Sequence, residues 1–179
     1  MLEAATAEFA QYGIAGARVD RIADAAHSNK AQLYGYFGSK EELFDIVFEE
    51  SLERIVDVVP INGDDVADWA VRLYDEYLAR PDLIRLATWS RLERRPTGHL
   101  VPATERLDTV KLATIDKAQS AGRITSKAEP FDVMAMVIAM SMAWSPVSNV
   151  YAASADEAAT EHVRRRDFLR ATVRKAFME

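Results

Sequence analysis

The chain contains no cysteine. That excludes a disulfide scaffold, a thiolate zinc site and a thiol nucleophile, and it fits a reducing cytosol. Its histidines, His27, His99 and His162, lie too far apart in sequence to make a helical metal pair. Glycine-rich phosphate loops, nucleophile elbows and His-Glu-x-x-His motifs are also missing. Neither metal nor cofactor is therefore expected, and nothing in the sequence points to an enzyme. The opening residues, MLEAATAEFAQYG, include Glu3 and Glu8 and lack the basic-then-apolar layout of a signal peptide. The longest uncharged run, 133–155, is interrupted by Ser141, Ser145, Pro146, Ser148 and Asn149. It reads as a helix inside a soluble bundle rather than as a membrane span. A cytoplasmic protein with no membrane partner is the expectation. Strand alternation, hairpin turns, internal repeats and low-complexity runs are absent too.

Basic charge is scarce: 22 Lys and Arg face 28 Asp and Glu, a net charge of −6. This balance argues against non-specific coating of nucleic acid, but not against a local basic tip. At 179 residues, the chain suits one large domain or a small one joined to a larger. A chain of that size buries a substantial core without covalent staples.

What is present is helical periodicity. Leu2, Ala5, Phe9 and Tyr12 share one face, and Gly13 is placed to stop that first helix. Val19, Ile22, Ala23 and Ala26 predict a short second helix. Asn29 is a suitable N-cap for a third, running to about Phe37. Three short helices with tight turns suggest a helix-turn-helix unit. Gly38 and Ser39 end the third helix, and Ser39-x-x-Glu42 is a capping box for a long fourth one. Leu43, Phe44, Val47, Phe48, Leu52, Ile55 and Val59 line that helix until Pro60, Asn62 and Gly63 break it. Further helices are expected over 64–79, from Pro81 onward, over 103–121 with Gly122 as the stop, and over 131–144. A second capping box, Ser154-x-x-Glu157, should open a last helix ending at Phe177. The predicted fold is all-α. A helix-turn-helix domain spans 1–48, a helical bundle spans 49–179, and the junction lies within the fourth helix.

The stretch from His27 to Lys40, HSNKAQLYGYFGSK, holds Lys30 and Lys40 and no acidic residue. Side chains on a helix are about 100° apart, so Leu33 and Phe37 point together and should dock on the first two helices. The opposite face centres on Ala31 and Gly35, flanked by Gln32 and Tyr34. A helix-interior glycine costs about 1 kcal/mol relative to alanine. A surface that tolerates it has room for something bulky, such as a major groove. Gln32 could then pair with adenine, Lys30 donate to guanine and Ala31 touch a thymine methyl. Tyr34, Tyr36 and Lys40 suit phosphates. On composition and spacing alone a second reading stays open. Gln32 could complete a capping box with Asn29, Tyr36 could be a core-rim residue, and both lysines could be solvated.

Phe9-x-x-x-Gly13, Val19-Asp-Arg-Ile22-Ala23 and Lys30-Ala-Gln-Leu33-Tyr34-Gly-Tyr36-Phe37-Gly-Ser39-Lys40-Glu-Glu-Leu43 together resemble the DNA-binding domain of TetR-family repressors. The match covers about residues 2–48, and Leu33 to Leu43 is its most specific part. The resemblance implies an all-helical homodimer with a divergent C-terminal effector domain. It also implies that Lys30, Ala31, Gln32, Gly35 and Tyr36 approach bases or nearby phosphates, while Arg18, Tyr34 and Lys40 hold the backbone of double-stranded DNA. Three departures stand out. His27 replaces the usual turn glycine, at some backbone strain. Ala17-Arg18 replaces a hydroxyl cap before the second helix. The chain also opens inside its first helix, so the family's basic arm is missing, as a trimmed chain would be.

The region from about Asp64 onward is less specific. Trp69, Tyr74, Tyr77, Trp89, Met134, Met136, Met140, Met142 and Trp144 are apolar and adaptable enough for either a core or a ligand pocket. The resemblance implies a pocket for a small hydrophobic effector among the middle helices, with Trp89, Met140 and Trp144 as candidate lining. It implies a dimer through the last two helices, 131–144 and 155–177. Arg164-Arg165-Arg166 near Glu161, and Arg91, Arg94 and Arg95 near Glu93, read as solvated ion-paired faces. Asp64-Asp65 reads as a helix N-terminus. The combined expectation is a ligand-responsive repressor released from a palindromic operator. The alternatives are a helical carrier or enzyme on the same fold, or a regulator controlled by a protein partner.

Overall fold

The computed structural model describes residues 1–100 and 105–178, without the side chains of 55–57 and 105–108. Within these residues the secondary structure is entirely helical: α1 (Leu2–Gly16), α2 (Val19–Ala25), α3 (Lys30–Phe37), α4 (Lys40–Val58), α5 (Val66–Ala79), α6 (Pro81–Glu93), α7 (Glu105–Ser120), α8 (Pro130–Ser141) and α9 (Ala159–Phe177). Among them no helix is long and apolar enough to cross a membrane. The expected helix start at Ala103 and the Ile55 side chain fall outside the described residues.

Two compact units emerge. The first comprises Met1–Ile55 with Arg80–Leu100, the second Val56–Ala79 with Val101–Glu179. In the first, Phe9, Ile22, Leu33, Leu43, Phe44 and Val47 form the core, each at most 2% exposed. Phe9 meets Phe44 edge-on, and Phe48 stacks on Phe44. Helix α6 packs against α1. Its Trp89 indole N–H donates to the Ala10 carbonyl (3.2 Å), and Glu93 accepts the Ala15 N–H (2.8 Å). Gly13 makes this approach possible. It has φ +73°, and a Cβ there would lie 2.8 Å from the Trp89 ring. The cluster of arginines beside Glu93 is thus a solvated face, as expected, but Glu93 does not pair with it. Glu93 is spent on α1, Arg94 pairs with Asp45, and Arg91 donates to the carbonyls of Arg95 and Gly98.

In the second unit α5 packs on α8 and α9, and α7 on α8. Trp69, Val66, Ile115, Val133, Val137 and Val173 are buried there. Asp65 caps α5 by accepting the N–H groups of Ala67 and Asp68, as the reading of Asp64-Asp65 anticipated. Burial pushes the Tyr77 hydroxyl up to about 12, against a hydrogen bond with Ser141 that lowers it.

Three helices depart from expectation. Helix α1 is broken at Gly13 (φ 73°, ψ −178°) but continues to Gly16 rather than stopping there. Helix α8 ends at Ser141 rather than Trp144, and it is buried on one face only, with Phe131 and Met136 exposed. Helix α9 begins at Ala159 without a side-chain cap. Glu157 does accept the Ser154 N–H (2.8 Å), but its other oxygen is taken by Arg165. The box therefore closes a turn before the helix instead of opening the helix. Arg165 also corrects the solvated reading of its basic run. It is 3% exposed, while Arg164 pairs with Glu161 and Arg166 with Asp75.

Candidate nucleic-acid interface

The site is built by the turn between α2 and α3. Helix α2 ends in a Schellman arrangement: Ser28 N–H donates to Ala23 O (2.9 Å), and His27 N–H to Asp24 O (3.2 Å). This places His27 at the left-handed position, φ 50°, where the sequence departure from glycine predicts strain. The Asn29 carboxamide then caps α3 by accepting the Gln32 N–H (3.0 Å). Gln32 does not complete a reciprocal box, because its side-chain oxygen accepts from the Ser28 hydroxyl (2.8 Å). Gln32 is exposed, and this bond leaves its amide N–H groups unused.

Glu8, buried on α1, sets the angle of α2. Its Oε1 accepts both the Arg18 backbone N–H and the Arg21 side chain Nε–H, each at 2.8 Å. The carboxylate thereby satisfies a free donor at the start of α2, where the sequence supplies no hydroxyl cap.

On α3, Leu33 is buried and Phe37 half-buried, while Ala31, Gln32, Tyr34, Gly35 and Tyr36 are exposed. Tyr36 is 72% exposed, so it is not a core-rim residue. A Cβ added to Gly35 would meet nothing within 4 Å. The space expected beside Ala31 is open. An open groove of about 470 Å³ runs alongside, with Arg18, Asp20, Lys30, Tyr34, Ser39 and Lys40 among its lining residues.

The cations are not free. Lys30 Nζ lies 2.5 Å from Asp20 Oδ1, and Arg18 approaches Asp20 Oδ2 at 3.8 Å. Lys40, half-buried, donates to the carbonyls of Ala17 (3.3 Å) and Ala15 (3.4 Å). Asp20 belongs to this face, although the sequence reading passed over it.

The candidate effector residues are distributed. Trp89 belongs to the first unit, with its indole on α1. Met140, half-buried, and Trp144 belong to the second, and the Trp144 ring meets Tyr74 edge-on at 5.9 Å. The buried pair His162 and Arg165 was missed, because periodicity alone places charged residues outside. Among the described residues no cluster of metal-binding side chains occurs.

Residues 1–47 match the pattern of "Bacterial regulatory proteins, tetR family". Residues 65–175 match "Tetracyclin repressor-like, C-terminal domain". The chain is 40% identical over 142 residues to the HTH-type transcriptional repressor SCO4008 of Streptomyces coelicolor, covering 78% of this chain and 73% of that one. The crystal structure of SCO4942, also from Streptomyces coelicolor, superposes with a TM-score of 0.82 at 34% identity, covering 98% of this chain and 95% of the other. A protein from Saccharomonospora viridis, crystallised with choline, shares the fold (TM-score 0.67, 16% identity, 99% and 95% covered). With an exposed α3 behind a Schellman turn and matches along most of its length, the chain belongs to the TetR family and is a helix-turn-helix transcriptional regulator, not an enzyme.

Proposed function

We propose that the protein is a homodimeric repressor that binds a palindromic operator and leaves it when a small hydrophobic molecule binds its C-terminal region. The observation that carries the DNA half is the open face of α3. Gln32 and Gly35 are exposed with clear space above Gly35, and Arg18, Lys30 and Lys40 line the adjoining groove. In this reading Gln32, Lys30 and Ala31 address base edges, while Tyr34, Tyr36, Arg18 and Lys40 hold phosphates. Residues 1–48 do the reading, and 49–179 bind effector and dimerise in the cytoplasm.

The dimer is supported by exposed apolar side chains on the last two helices, Phe131 and Met136 of α8 with Val163 and Phe168 of α9. A two-fold dimer sets its recognition helices to half-sites about 34–36 Å apart. Met140 and Trp144, half-buried in the second unit, are the proposed contacts for the effector's apolar part. Release requires that the effector bind the DNA-incompetent state more tightly than the competent one. Selection of bound fragments from genomic DNA by the purified protein tests the operator. A palindromic consensus at moderate salt is expected, and recovery of unrelated fragments would overturn the reading.

A further inference from the structure

The most deeply buried charged group of the second unit lies among side chains that do not satisfy it. His162 and Arg165, one turn apart on α9, are 6% and 3% exposed. The Tyr74 hydroxyl is 2.8 Å from His162 Nδ1 and also lies against the Arg165 guanidinium. Arg165 Nη2 donates to Glu157 Oε2 (2.6 Å), and the Tyr151 ring covers the guanidinium at 5.3 Å. Trp144 packs edge-on against Tyr74, and its chain neighbour Ser145 is itself buried.

Among the described residues, four buried side-chain atoms have no hydrogen-bond partner: His162 Nε2, Arg165 Nε and Arg165 Nη1 of this cluster, and Oγ of Ser145, which follows Trp144 in the chain. All four are closed off within the chain, so a second subunit docked on its surface does not reach them. Buried polar atoms are nearly always paired, and unfilled donors on a charged group are the costliest exception. The set is biased toward donation. Arginine can only donate, and in the arrangement that uses every proton the phenol accepts from Arg165 and gives its own proton to Nδ1. A neutral His162 ring then carries its proton on Nε2.

We propose that this cluster binds the carboxylate of a small organic acid, which anchors the effector of the repressor reading above and rests on that reading. A carboxylate presents two oxygens with about four lone-pair positions, twice what a neutral carbonyl offers, and the buried Arg165 cation opposes a cationic ligand. Its oxygens take His162 Nε2–H, the Ser145 hydroxyl and an open position of Arg165, while Glu157 keeps Nη2. Trp144, Tyr74 and Tyr151 accommodate the apolar remainder. Tyr151 is half-exposed and its ring lies over the guanidinium, which makes it the side proposed as the entrance.

Titration of the full chain with sodium benzoate tests this, with benzamide as the uncharged isostere. Calorimetry reports affinity, and the Arg165 Nε–H and His162 ring resonances report location. Benzoate is expected to shift both resonances and to bind at least about tenfold more tightly than benzamide. Ser145→Ala should weaken benzoate about tenfold, the loss of one charge-assisted hydrogen bond. It should not lower the melting temperature of the free protein, because that hydroxyl bonds nothing there. This variant keeps the test valid even if Arg165→Met fails to fold. Equal binding of benzamide, unchanged affinity in Ser145→Ala, or silence of both resonances to benzoate, acetate and hexanoate would overturn the proposal. Operator selection on the same preparation separates the two readings. DNA selection without carboxylate binding removes this inference alone, and carboxylate binding without DNA selection removes the operator.

Discussion

Asp20 holds Lys30. Their carboxylate and ammonium groups are 2.5 Å apart on the groove that flanks the recognition helix, and Arg18 approaches the same carboxylate. Both cations are exposed, so the pairs contribute little to stability. Their consequence lies in binding, since an approaching phosphate competes with Asp20 for each. Asp20→Asn is therefore expected to tighten binding to any duplex by roughly three- to tenfold at low salt and to steepen its salt dependence. Fluorescence anisotropy with operator and scrambled DNA would check this. A gain confined to the operator would mean that Asp20 reads a base instead.

Lys40 and Gln32 should separate holding from reading. If Lys40 holds a phosphate as proposed, affinity of Lys40→Ala should fall uniformly across sequences and the salt slope should become shallower by about one. Lys40 also braces the carbonyls of Ala15 and Ala17. Its loss should lower the melting temperature as well, by a few degrees for about 1 kcal/mol. Gln32→Ala keeps the Asn29 cap, which uses only the Gln32 backbone N–H. It should relax preference at one base pair, at about 1–3 kcal/mol. Position-resolved binding to a mutated operator series distinguishes the two.

His27 carries a left-handed backbone in a turn where glycine would adopt it without strain. The left-handed conformation costs an L-residue roughly 1–2 kcal/mol, and glycine gives back about 0.5–1 kcal/mol through its freer unfolded chain. His27→Gly should therefore stabilise the protein by about 0.5 kcal/mol while leaving the Schellman bonds intact. Urea unfolding of the two proteins gives the difference, and a destabilised variant would show that the imidazole does more than fill the turn.

Much of what depended on neighbours in sequence was legible, although the Ser154–Glu157 box, equally local, does not open α9. Asn29 capping α3, the reciprocal Ser39–Glu42 pair, the burial of Leu33 and the clear space above Gly35 are consequences of spacings of a few residues. Long-range pairings were not. Nothing local tells that Trp89 bonds Ala10, 79 residues away, or that Glu93 is spent on Ala15. The Arg164–Arg166 run shows why. Its three residues point in different directions around α9, so one periodic pattern produces two surface pairs and one buried cation. Only the fold, by placing Tyr74 of α5 opposite, decides which is which.

The exposed apolar residues of α8 and α9 lead to a prediction about assembly. Met136 and Phe168 are 49% and 62% exposed, and an isologous interface meets each of them twice. Phe168→Glu should give a monomer in sedimentation with an unchanged helical spectrum. Its operator affinity should fall more than tenfold, because a single recognition helix loses the second half-site. A dimer that survives both Phe168→Glu and Met136→Asp would place the interface elsewhere.

Acid should loosen the second unit through Asp65. Burial by itself pushes this carboxyl up, but the Asp68 N–H, the Arg174 guanidinium and the Ala67 N–H outweigh it and hold the group below its ordinary value. The charged form is therefore favoured by folding. Its contribution is fully present above the unfolded value of about 3.9, and it is lost as pH falls through the lower folded value. Asp65→Asn retains a good helix cap but not the ion pair with Arg174. Wild type should accordingly be more stable than the variant at about pH 6, with the gap closing toward about pH 2. Urea melts across that range provide the measurement. A gap independent of pH would mean that Asp65 acts through its capping geometry alone and that its charge contributes nothing.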